Sequence, residues 1–244
     1  MCARKRYRRA AFFTLFFLLC APVVQARNYR QIFGREYASA ERTLRTLQPA
    51  LEKYGRNSPV DAQMIEAVVF PEVMRYNAFF DVLETGSLYA LYTRFGENYS
   101  NFSIGRFQMK PSFAVSIEQL ITQEAFRPMM REMGFTDGMS GDTFESRKAR
   151  VSRLEDTEWQ LRYFRVFAAA MERRVPKWEK LGRKERVQWL AAAYNGGWTR
   201  SVAEIRRGMI RKQFHMSVWG KAPLYSYADV ALYRYKELTG RSPA

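Results

Sequence analysis

The chain is poorest in the residues that many catalysts depend on. Its 244 residues include two cysteines and one histidine. Cys2 and Cys20 both fall within the first 26 positions, so nothing downstream offers a thiol nucleophile, a disulfide or a cysteine metal cage. The single histidine, His215, excludes a multi-histidine zinc site and argues against a Ser-His-Asp triad. It reads more simply as a surface or satisfied core residue. Glycine-rich phosphate loops of either standard spacing are missing. There is also no run of alternating strand pattern, no repeat and no low-complexity segment. Acidic residues are scarce, with 24 Asp and Glu against 40 Lys and Arg, giving a net charge of +16. Chemistry is left to carboxylates, hydroxyls and amides, with no metal and no cofactor expected.

The first 26 residues have the layout of a secretory signal peptide. Arg4, Lys5, Arg6, Arg8 and Arg9 make a positive start, and an apolar run from Ala10 to Val24 follows. Val24-Gln25-Ala26 then supplies small residues at the cleavage positions, so cleavage after Ala26 is predicted. The apolar run of about 15 residues falls short of the roughly 20 that a membrane-spanning helix needs. The alternative is an uncleaved N-terminal anchor with membrane association. Cys20 follows the large Leu19, so it reads as signal-peptide filler and not as a lipid attachment site. An exported protein, periplasmic or in the cell envelope, is the expectation. Removing the leader takes five basic residues and leaves a net charge of about +11, which favours anionic partners such as a wall polymer or a membrane surface. Residues 27–244 are ample for one large domain held by core burial.

Hydrophobic spacing is helical nearly everywhere, which predicts an all-α fold. An N-terminal helical arm (27–57) should carry a helix from about Arg35 to Tyr54, kinked by Pro49. Ser58-Pro59 then restarts the chain as a helix cap with a first-turn proline. The next helix, Val60 to about Phe70, is largely apolar, and Pro71 is expected to break or kink it. Residues Asn77 to Tyr92 read as helix with an interruption near Gly86. Gly96 to Gly105 reads as a polar, aromatic loop, and a helix from Pro111 towards Gln123 follows. Three glycines punctuate Gly134 to Gly141, and further helices are expected over Asp156–Arg174, Arg183–Tyr194 and Tyr227–Leu238.

Three stretches could carry chemistry. Glu72 follows the apolar helix among Phe70, Val73 and Met74, where poor hydration would raise its pKa towards proton-donating range; a surface glutamate paired with Arg75 is the plainer alternative. Ser103 to Ala114 runs from a loop to a proline-opened helix. Within it Gly105 would admit close approach of a ligand, and Gln108 can both donate to and accept from sugar amides and hydroxyls. Ala191 to Trp198 ends a close-packed helix in two glycines, with Tyr194 and Asn195 projecting at its terminus.

Taken in order with Tyr227-Ala228-Asp229-Val230, these stretches resemble the transglycosylase domain of soluble lytic transglycosylases, within the lysozyme-like superfamily. The family pattern reads Glu-Ser, then Ser-x-Gly-Leu-Met-Gln-Ile-x-Pro-x-x-Ala, then Ala-x-x-Tyr-Asn-x-Gly, then Glu-Thr-x-x-Tyr-Val. The resemblance covers about residues 60–238, and the domain is taken as 58–240. It implies a lysozyme-like fold in which Glu72 is the catalytic acid/base. It also implies substrate contacts at Ser103, Gly105, Gln108, Met109, Tyr194 and Asn195. Departures are Val73 for the serine, Arg106 and Phe107 for Leu-Met, and Pro223 and Leu224 for the final Glu-Thr pair. The 86 positions from Gln108 to Tyr194 exceed the family's usual span and imply an insertion near 134–153.

The resemblance implies a one-carboxylate reaction on peptidoglycan glycan strands. Protonated Glu72 would donate to the oxygen between N-acetylmuramic acid and N-acetylglucosamine. The same carboxylate would then take the proton of the muramic C6 hydroxyl as a 1,6-anhydro ring closes. A muramidase-type hydrolase is the runner-up. It would need a second carboxylate, for which Asp81, Glu84 and Glu97 are the candidates. A non-catalytic wall-binding protein of the same fold is a third reading. Base stacking on Tyr89, Tyr92, Phe95, Tyr99 and Phe102 would suit single-stranded nucleic acid, but export argues against a nucleic-acid partner. The basic stretch Ile205 to Lys212 reads as a solvated face that helps hold an anionic wall polymer. Oligomeric state is not encoded legibly.

Overall fold

Helices dominate the computed structural model, which describes residues 27–79, 85–216 and 222–240. The expected signal peptide lies outside the described residues, as do Asp81 and Glu84. In chain order the α-helices are α1 (Tyr29–Thr46), α2 (Gln48–Gly55), α3 (Ala62–Phe79), α4 (Thr85–Phe95), α5 (Pro111–Glu118) and α6 (Arg127–Glu132). They continue as α7 (Phe144–Glu155), α8 (Thr157–Arg174), α9 (Arg183–Gly196), α10 (Val202–Gly208) and α11 (Tyr227–Leu238). A short antiparallel ribbon pairs β1 (Lys212–Phe214) with β2 (Tyr225–Ser226). Strands of two and three residues are too short to leave an alternating pattern, so the sequence hid them. Among the described residues no helix is long and apolar enough to cross a membrane.

The helix α3 is the centre of the molecule and packs against α1, α2, α9 and α11. Met64, Ile65, Ala67, Val68, Val69, Phe70, Val73 and Met74 are all buried, so the helix is enclosed on nearly every side. The structure differs from the sequence reading in two places here. Asp61, not Ser58, caps the helix, its carboxylate accepting from the Met64 N–H at 2.9 Å. Pro71 also does not end it, because α3 runs on to Phe79. Proline removes only its own bond to the carbonyl four residues back. A helix buried among four others is held by packing, which outweighs that single loss. Glu72 therefore sits inside a helix and not at a helix end.

The N-terminal arm is bound tightly to this centre. It starts earlier than the periodicity predicts, with Asn28 capping α1 by accepting from Gln31 N–H at 3.0 Å. Tyr29, Phe33, Tyr37, Ala40 and Leu44 form its buried stripe. The helix breaks at Leu47, and Pro49 falls in the first turn of α2, where its missing N–H leaves no partner unmatched. Charge fixes the arm as well. Arg234 of α11 donates to Glu66 of α3 at 2.7 and 3.0 Å and pairs with Glu41 of α1. Arg30 in turn joins Glu41 and Glu237.

The segment 134–153 is a turn-rich loop followed by most of α7. It is integrated into the core through Arg150, which is fully buried against Glu118 of α5. No residue of this segment lines the groove that holds Glu72.

Candidate active site

Glu66 and Glu72 lie on the same buried helix and have opposite fates. Their spacing of six residues sets them about 120° apart around α3. Glu66 is satisfied by two bonds from Arg234 and one from Gln48. Glu72, 6% exposed, meets a single cation among the described residues, Arg75, at 3.5 Å. Burial raises the Glu72 pKa to about 7, against the weaker opposing pull of the Arg75 and Lys110 charges. A carboxyl poised there can give up a proton near neutral pH and take one back.

Glu72 opens onto a groove of about 430 Å³, within the size range of ligand sites. Four parts of the chain build it. The α3 helix supplies Glu72 and Arg75, and the loop before α5 supplies Asn101, Ser103, Gln108, Met109 and Lys110. The α5 helix adds Ser112, Phe113 and Ser116, and the end of α9 adds Tyr194, Asn195 and Gly196, followed by Gly197 to Arg200. Six of the seven principal site residues read from the sequence, Glu72, Ser103, Gln108, Met109, Tyr194 and Asn195, thus share one cavity.

The seventh, Gly105, does not line the groove. Its backbone lies at φ +68°, and a Cβ placed there would stand 2.3 Å from the Leu154 carbonyl oxygen and 2.7 Å from Gln160 Nε2. The close approach it permits is to α7 and α8, not to a ligand. Gly105→Ala is expected to destabilise the fold by about 2–4 kcal/mol, combining the left-handed backbone penalty with a clash against a carbonyl that cannot move alone. Urea unfolding of the variant checks this; a change below about 0.5 kcal/mol, the level of a neutral surface substitution, would reject it.

Gln160 is the residue that sequence reasoning missed. Fully buried on α8, it accepts from Phe107 N–H at 3.1 Å and donates to the Ile104 carbonyl at 2.8 Å. These bonds clamp a tight turn closed by Ile104 and Met109, whose N–H and carbonyl groups pair at 2.9 and 3.1 Å. Tyr194 adds a third clamp by donating from its hydroxyl to the Phe107 carbonyl at 2.7 Å. Gln108 sits at the tip with φ +51°, a backbone region sparsely used by non-glycine residues. Its side-chain amide donates to the Gly105 carbonyl at 2.9 Å, which holds the strained turn and leaves its other N–H and its oxygen for a ligand.

Tyr194 thus has a supporting as well as a lining role. Its ring packs on Phe113, Phe164 and Phe167, and burial together with the Glu72 charge pushes its pKa well above the ordinary phenol value, so it stays a hydrogen donor. Tyr227 of α11 donates to the Val68 carbonyl at 2.9 Å, one turn before Glu72, and holds that part of α3 in place. Asn101 and Ser112 bond to each other at 2.9 and 3.3 Å, and Trp198 donates to Ser116 at 2.9 Å, which fixes the far wall.

Of the second-carboxylate candidates, only Glu97 is described. It is exposed and borders a different cavity, beside Tyr92 and Phe95. Among the described residues lining the Glu72 groove, Glu72 is the only carboxylate. Among them too, no three carboxylate, imidazole or thiol groups gather as a metal site would require. Comparison with protein-family models, with curated proteins and with solved structures finds no match for this chain.

Proposed function

We propose that the protein is an exported lytic transglycosylase of the lysozyme-like kind, cleaving the bond between N-acetylmuramic acid and N-acetylglucosamine in peptidoglycan glycan strands. The observation that carries this reading is Glu72, a carboxyl with its pKa raised to about 7 on the wall of an open groove. Supporting it are the neutral polar side chains around that groove, which suit sugar hydroxyl and acetamido groups.

In the proposed reaction, the neutral Glu72 carboxyl protonates the glycosidic oxygen as its bond to the muramic C1 breaks. The muramic C6 hydroxyl then attacks C1 and gives its proton to the Glu72 carboxylate. The products are a 1,6-anhydro end and a free 4-hydroxyl on the departing sugar, and Glu72 ends as it began. Arg75 steadies the ionised intermediate form. A hydrolase of the two-carboxylate type would place a second acid across the cleft, and Glu72 has no acidic partner among the described lining residues.

Mass spectrometry of sacculi incubated with the chain lacking residues 1–26 tests the reaction. Anhydro-muramic ends are expected, and reducing ends would replace this reading with hydrolysis. Because the reactive form is protonated, kcat should hold below pH 7 and fall about tenfold per unit above it. A profile that rises through pH 7 to 9 would reject Glu72 as the acid.

A further inference from the structure

The Glu72 groove continues past the end of α9. Gly196, Gly197 and Arg200 line it and also line a second cavity of about 150 Å³. At this junction Gly197 has φ +100°, and the Arg200 side chain lies over it, 3.6–3.9 Å from where a Cβ would stand. Beyond the junction Arg207 and Arg211 face the same small cavity. All three arginines are exposed. The Arg200 and Arg207 charges help hold the Glu204 carboxyl below its usual range, after the Ser201 hydrogen bonds that lower it most.

The one carboxylate in the lining is already engaged. Glu204 accepts from the Ser201 N–H at 3.0 Å and from its hydroxyl, closing the capping box at the start of α10. Three arginines therefore border a cavity whose one acid among the described lining residues, Glu204, is turned to a helix start and offsets only part of their charge. Arginine forks match planar carboxylates.

We propose that this second cavity is a subsite for a carboxylate borne on a substituent of the same sugar polymer whose scissile bond lies at Glu72. The proposal rests on the glycan-strand reading of the first groove, because the shared wall of Gly196, Gly197 and Arg200 puts both cavities within reach of one ligand. Muramic acid supplies such a group through its lactyl ether or through the peptide attached there. The basic stretch at Ile205 to Lys212 then becomes a recognition element and not merely a solvated face.

The test uses Glu72→Gln protein, so that strands are bound and not cut, at low ionic strength where exposed charges act most strongly. Affinity is measured for soluble glycan strands, for the same strands with their carboxylates converted to primary amides, and for neutral chitohexaose. The free-carboxylate strands should bind roughly fivefold tighter than the amidated ones, the effect of two or three exposed charge pairs. Adding Arg207→Ala and Arg211→Ala leaves only Arg200 at the cavity and should bring that ratio below about twofold, with melting temperature and chitohexaose affinity unchanged because both side chains are exposed. A ratio undiminished in the double-arginine variant, or one equal to unity in the parent, overturns the carboxylate subsite and leaves the first groove's reading standing. Failure of strands and chitohexaose alike to bind the parent overturns both.

Discussion

Glutamine at position 72 is expected to reduce strand cleavage by about 10³-fold while strand binding survives, the loss typical of removing a positioned general acid. Glutamine keeps the size and hydrogen-bonding reach of the side chain and removes only its proton traffic. The Ile104–Met109 turn, clamped by Gln160 and Tyr194, makes no hydrogen bond to Glu72 and should keep its shape. Release of anhydro-muramic products from sacculi measures the effect, and a variant with more than a tenth of the parent's rate would remove Glu72 from the mechanism.

The same substitution should stabilise the protein, and the sign follows from the pKa. The Glu72 carboxyl has an ordinary value of 4.5 and is raised to about 7 in the folded chain. Below pH 4.5 it is protonated in both the folded and unfolded states. Between 4.5 and 7 the folded chain holds the proton that the unfolded chain releases, so stability declines as pH rises through this window. By pH 8 the folded protein carries a poorly hydrated carboxylate at a penalty of order 3 kcal/mol. Glutamine carries none. Urea unfolding should therefore give nearly equal stability at pH 4.5 and a more stable Glu72→Gln at pH 8. Equal stability at both values would mean that Glu72 is well hydrated. The proposed role of Glu72 would thus oppose stability, as it does wherever a site needs a buried ionisable group.

The groove was legible because its residues cluster in short segments. Ser103, Gln108 and Met109 fall within seven positions, and Tyr194 and Asn195 are adjacent. Local pattern also placed α9 and α11, whose caps and apolar spacing agree with their packing. What escaped was set by tertiary contact. Pro71 reads as a helix breaker because sequence shows its missing N–H and not the four helices packed around it. Gly105 reads as a ligand contact because sequence shows the absent Cβ and not the Leu154 carbonyl that fills the space. Gln160 stands more than 50 positions from the turn it clamps, on a helix with other polar residues. Its only signal was an amide on the apolar side of α8, a position where a buried polar group needs partners. The cavity beyond Gly197 was equally hidden, since spacing alone cannot reveal that Arg200, Arg207 and Arg211 border one space.

Arg150→Met is expected to cost about 3–5 kcal/mol of stability, because it strips one partner from a fully buried ion pair. Arg150 and Glu118 are both shielded from solvent, with Arg150 nitrogens 2.8 Å from the Glu118 carboxylate. Arg150 also donates to the Tyr92 hydroxyl and to the Met139 carbonyl at 2.8 Å, and to the Gly141 carbonyl at 3.0 Å. It therefore ties α4, α5, α7 and the glycine-punctuated loop to one point. Methionine fills similar volume but leaves Glu118 with Arg153 and Tyr163 alone and strands the Met139 carbonyl, while the Gly141 carbonyl keeps the Ser146 hydroxyl. For a domain of this size the loss corresponds to a melting point lower by about 10 °C. The effect should reach the groove, since Glu118 ends the same short helix that presents Ser112, Phe113 and Ser116. Pairing the change with Glu118→Leu separates charge from packing. If the under-compensated Glu118 carboxylate dominates, the double variant loses less than the sum of the two single changes. If the losses simply add, or if Arg150→Met costs under 1 kcal/mol, the ion pair is not what binds segment 134–153 to the core.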